Sequence, residues 1–106
     1  MPVYLTKAKY HPAGVQGLVK EGASGRKAAV TKLVEAAGGK LHAFYFALGE
    51  TDAYLITEFA DRHAAMGVSI AVNASGATSV TQVELLSVEE MDAALRAVPA
   101  YRPPGA

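Results

Sequence analysis

The sequence predicts an α+β fold with βαββαβ element order, the ferredoxin-like arrangement built on a four-stranded antiparallel sheet, and predicts that this unit associates with copies of itself. Three observations lead there. Apolar positions alternate between periods of two and about 3.6 residues, giving strand, helix, hairpin, helix, strand along the chain. At 106 residues there is room for one domain, residues 1–106, and no second core. Hydrophobic residues make up 51% and charged residues 19% of the chain, against roughly 45–50% and about 25% in an average domain, which leaves apolar surface for a partner.

Each element has a local reason. Pro2 to Lys9 reads as a strand because Val3, Tyr4, Leu5 and Thr6 favour a pleated surface. Pro12 suits a first helical position, and Gly14, Gly17 and Gly22 make the segment to Gly22 a weak, broken helix. A firmer helix runs from an N-cap at Ser24 to Ala37. Its Ala29, Val30, Leu33, Val34 and Ala37 form one stripe, and Gly38-Gly39 ends it. Lys40–Leu48 and Ala53–Phe59 are two strands joined by a tight turn at Gly49-Glu50-Thr51-Asp52. Asp61 caps a second, small-sided helix that stops at Gly76, and Ala77–Leu86 is the fourth strand. Ser87 and Glu90 have capping-box spacing and open a short C-terminal helix carrying Met91, Ala94, Leu95 and Val98. The proline-bearing tail from Tyr101 to Ala106 cannot continue it.

Side chains alternate across a strand, so the hairpin sorts into two faces. With Leu48 opposite Ala53 and His42 opposite Phe59, one face holds His42, Phe44, Phe46, Leu48, Ala53, Leu55, Thr57 and Phe59, a core face for the helices to cover. The other holds Leu41, Ala43, Tyr45, Ala47, Tyr54, Ile56 and Glu58. It is too apolar for water and too polar for an ordinary core. Burial against a second copy resolves that conflict, since aromatic rings with a polar tip suit interfaces. Lys7, Gln82 and Glu84 are expected to join this face.

Several partner classes are excluded. Ten basic and ten acidic residues give zero formal charge, which argues against nucleic acid and against a polybasic membrane anchor. The absence of cysteine excludes disulfides and thiolate metal sites. The low-charge stretch Ala64–Val83 is too polar to span a bilayer, and the N-terminus lacks the pattern of a signal peptide. The expected location is the cytoplasm. The glycines at 14, 17, 22 and 25 do not have phosphate-loop or dinucleotide spacing, so no cofactor is expected.

The runs Gly17-Leu18-Val19-Lys20-Glu21-Gly22-Ala23-Ser24-Gly25-Arg26, Leu33 to Leu41, Ala43 to Glu50 and Tyr101 to Gly105 resemble the GYD family of small bacterial proteins. Gly49 and Asp52 stand where that family has its glycine and aspartate, and Thr51 replaces the tyrosine. The resemblance implies a dimeric α+β barrel, a fold class that includes cofactor-free monooxygenases, small isomerases and ligand-sensing domains. It supplies no catalytic residue.

The candidate residues follow from chemistry and placement. Tyr45, Tyr54 and Glu58, with Lys7 to neutralise the carboxylate, are the leading ligand-binding set, because a mid-strand glutamate among apolar neighbours must be paired, wet or functional. Two readings compete: a general base beside tyrosines, or a hydrogen-bond network in a dimer interface. His11 beside Asp52 would make an oriented base, although a turn aspartate commonly bonds its own backbone. His42, Asp61 and His63 are expected near one sheet end, where a metal site competes with a solvated loop end, and no metal is expected. The predicted function is binding or transformation of a small, partly apolar molecule between the sheet faces of a homo-oligomer. The alternative is a non-catalytic interaction or ligand-sensing module.

Overall fold

The computed structural model describes residues 1–106. The elements run β1 (Val3–Tyr10), α1 (Pro12–Ala36), β2 (Lys40–Phe46), β3 (Ala53–Glu58), α2 (Arg62–Ala74), β4 (Thr78–Leu85) and α3 (Val88–Arg96). The strands form one antiparallel sheet in the order β2-β3-β1-β4. This is the ferredoxin-like order with an added C-terminal helix.

Local chemistry accounts for the boundaries. Gly22 takes φ 82° and breaks α1, a conformation that costs glycine little. The Asp61 carboxylate accepts the Ala64 N–H at 2.9 Å and starts α2. Ser87 and Glu90 close both halves of the capping box at 3.0 Å, fixing the start of α3. At the exposed β4 edge, Asn73 of α2 receives the Val80 N–H at 2.8 Å and gives its own N–H to the Val80 carbonyl at 3.4 Å. A free edge strand is thereby partly paired with a side chain.

Alternation along β1 and β3 turns Tyr4, Thr6, Ala8, Ala53, Leu55 and Thr57 towards the helices, and these six and Phe59, just past β3, are buried. Tyr4 and Phe59 pack with Val34 of α1 and Ala65 of α2, which draws the two helices together over that end of the sheet.

The β2–β3 register differs from the sequence expectation. Phe46, not Leu48, lies opposite Ala53, so the connection is a six-residue loop, Ala47 to Asp52, and Leu48 is fully exposed. A bulge between Leu41 and Ala43 then reverses the two residues before it. Leu41 turns to the core side opposite Thr57, and His42 turns outward. Gln82 and Glu84 also lie on the helix side, because they pair with Thr6 and Tyr4, which face that way.

The chain is extended for its length. Its radius of gyration is 17.1 Å, where about 13 Å is typical of 106 residues packed compactly. Only nine residues are buried, none of them in α3, so the helix carrying Met91 and Leu95 stands away from the core.

Candidate functional site

Two surfaces carry the chemistry. The first is the sheet face opposite the helices. Its central rows are Tyr45–Tyr54–Lys7–Thr81 and Ala43–Ile56–Leu5–Val83 across β2, β3, β1 and β4. Tyr45 and Tyr54 are direct cross-strand partners, and Lys7 is the next residue along from Tyr54. Tyr45 is 70% exposed and Val83 50%. Glu58 lies one row further on and meets the outward-turned His42, with Nε2 and Oε1 2.7 Å apart. The partner of Glu58 is thus His42, which the bulge delivers, and not Lys7, which sits opposite Tyr54.

The other sequence candidates are dispersed. Asp52 accepts the Tyr10 backbone N–H at 2.8 Å and lies 3.5 Å from Lys9 Nζ. His11 turns to the other neighbour of β1 and meets Ser79 Oγ at 2.6 Å. These contacts take the two groups to opposite sides of β1, so they form no His11–Asp52 pair. Asp61 is occupied by its helix cap, with the exposed His63 ring 3.9 Å away, while His42 is engaged by Glu58. His42, Asp61 and His63 form no joint site, and no three His, Cys, Asp or Glu residues gather in a way that could hold a metal ion.

The second surface is a cavity of about 370 Å³ between the helix side of the sheet and helices α1 and α2. The lining of this cavity was not legible in the sequence, because a stripe of Val30, Leu33 and Val34 reads as a filled core. Here Val34 of α1 and Ala65 of α2 belong to one buried cluster with Tyr4 and Phe59, and the space beyond it is bounded by Arg26, Ala29, Ala71 and Ser75. Of 20 lining residues 14 are apolar, and Arg26 is the one that carries a charge. The size falls in the range of about 300–1,000 Å³ common for small-molecule sites.

Two polar atoms in this lining lack partners. Thr57 is 3% exposed, and its Oγ1 is buried without a hydrogen bond. Arg26 Nε is also buried without one. Glu21 Oε1 lies 3.2 Å away, close enough for an ion pair, but the N–H does not point at it. Burial pushes the Tyr10 phenol above its ordinary pKa, and the nearby Arg26 opposes that rise. Gln82 donates to the Ala65 carbonyl at 3.3 Å and ties the cavity floor to α2. Nothing in the sequence marks Thr57 as special, since a threonine in a strand is ordinary.

No helix is long and apolar enough to cross a membrane. The family model described as the GYD domain matches residues 4–95. Among solved structures, a protein of unknown function from Nitrosomonas europaea is similar at 18% identity and a TM-score of 0.41, over 82% of this chain and 91% of that one. No protein with a curated description matches the chain.

Proposed function

The chain belongs to the GYD domain family, and from that premise we propose that it binds a small, partly apolar molecule in the cavity between its sheet and its helices, working as a homo-oligomer. The observation that carries the binding half is the Thr57 hydroxyl, buried and without a partner in the wall of an apolar cavity. A buried hydroxyl with no hydrogen bond costs roughly 1–3 kcal/mol, a cost that an occupant supplying one would offset.

Self-association draws support from other features. With nine residues buried, the chain hides little apolar area for its length. The helices cover one side of the sheet only, which leaves Tyr45, Tyr54, Ile56 and Val83 on the other. Sheet against sheet, as in a dimeric α+β barrel, would bury that face, and Lys7 and the His42–Glu58 pair would then lie in or beside the contact. In this reading Tyr45, Tyr54, Glu58 and Lys7 serve association.

A thermal-shift screen with small aromatic and acyl compounds tests the binding site. Compounds that raise the Tm of the wild type should lose that effect in Ala71→Trp, which fills the cavity mouth from α2. A response that is equal in the variant, or no response to any compound, sinks the proposal.

A further inference from the structure

The polar groups of the cavity have a spacing and a sign that narrow the ligand. Its one formal charge is positive, on Arg26. A guanidinium matches a carboxylate in shape as well as in charge. Tyr10 lies near Arg26 and, with its cross-strand partner Thr78, adds hydroxyls there, while the Ser75 hydroxyl is taken up by the Val72 carbonyl and the Ala77 N–H. At the other end, Thr57 and Thr6 project from adjacent rows of β3 and β1 among Phe59, Leu55 and Val34. Arg26 and Val34 are eight positions apart in the unbroken part of α1, which at 1.5 Å per residue separates the two ends by about 12 Å. The walls between are apolar.

We infer that the cavity takes a carboxylic acid with an apolar body and a hydroxyl or carbonyl oxygen at its far end, the carboxylate at Arg26 and the far oxygen at Thr57. This rests on the proposed binding role of the cavity. The carboxylate pairs with the terminal nitrogens of the Arg26 guanidinium, since Nε has no accessible surface. The body lies along Val30, Leu33 and Val72. The far oxygen gives the Thr57 hydroxyl its missing partner once the side chain turns that hydroxyl, which has no accessible surface in the ligand-free protein, into the cavity. A ligand lacking either end leaves one buried group unpaired, which is how such a site discriminates among ligands of similar size.

Three probes of one length separate these contributions: 8-hydroxyoctanoate, octanoate and neutral 1,8-octanediol, each titrated calorimetrically into the wild type, Arg26→Gln, Thr57→Val and Ala71→Trp. Wild type should bind 8-hydroxyoctanoate about tenfold or more tightly than either other probe, the size expected of one charge-assisted or otherwise unpaired hydrogen bond. Arg26→Gln should abolish the advantage over the diol, and Thr57→Val the advantage over octanoate. If the diol binds as well as both acids in the wild type, and Ala71→Trp blocks it, the ligand class is wrong while the cavity remains a binding site. If none of the three binds, the inference and the binding role fall together.

Discussion

A Cβ placed on Gly39 would lie 2.5 Å from Cδ1 of Phe59 and 2.7 Å from the Glu58 carbonyl oxygen. Phe59 is fully buried, and it packs on Tyr4 with ring centroids 6.2 Å apart. The turn that ends α1 therefore presses its backbone against the ring at the centre of the core. Gly39→Ala should cost roughly 1–3 kcal/mol through overpacking. Gly17→Ala, at an open helical position with no atom within 4 Å, should gain about 0.5–1 kcal/mol. Thermal melts of the two variants check both signs, and a Gly39→Ala protein as stable as the wild type would show that the core has room to shift.

Thr57→Val removes the unpartnered hydroxyl while keeping the β-branched shape. In the ligand-free protein this variant should be more stable by about 1 kcal/mol, because a buried polar group with no bond has been deleted. Urea unfolding measures it. A loss of stability would mean that the hydroxyl has a partner in solution.

Tyr45→Asp combined with Ile56→Asp places two charges on the exposed sheet face. If that face is an association surface, the charges cost several kcal/mol each on burial, and the double variant becomes monomeric or fails to fold. Sedimentation of the wild type as a folded monomer at micromolar concentration contradicts the assumption behind this prediction.

The Glu90 carboxyl is held below its usual pKa, first by the Ser87 backbone N–H and then by the Ser87 side chain. A lowered folded-state pKa means that the charged form is favoured in the helix. Its contribution to α3 is complete above the unfolded carboxylate value of about 4.3 and disappears as the pH falls through the folded value. An NMR titration should show α3 fraying towards acid in the wild type. Glu90→Gln should lose most of that pH dependence. Ser87→Ala should fray at neutral pH, at a cost of about 1 kcal/mol for the lost cap.

Asp52 holds the end of β1 by accepting the Tyr10 N–H and standing beside Lys9. Asp52→Ala leaves that N–H without its charged acceptor, and about 1.5–3 kcal/mol of stability should go with it. Chemical denaturation checks the size. Catalysis by an Asp52–His11 dyad is not needed to explain such a loss, since His11 is bonded to Ser79.

What the sequence determined by itself was local. The order of elements, the Asp61 and Ser87 caps, the break at Gly22 and the inward face of β3 follow from periodicity, capping chemistry and glycine, all of which act within a few residues. That Tyr45 and Tyr54 share the outward face was also legible, although the expected register set Tyr45 opposite Ile56, because a register error of two residues preserves which side of a strand faces inward. The bulge at Leu41–Ala43 was not, and it alone decides that Leu41 is core and His42 meets Glu58. The facing of Gln82 and Glu84 depended on how β4 registers against β1, strands more than 60 positions apart. The cavity is the furthest from sequence. It is lined from α1, α2 and the sheet together, with the buried cluster of Tyr4, Val34, Phe59 and Ala65 beside it and Arg26 and Ser75 in its wall. How two helices lie across one sheet decides it, and no spacing within either helix encodes that.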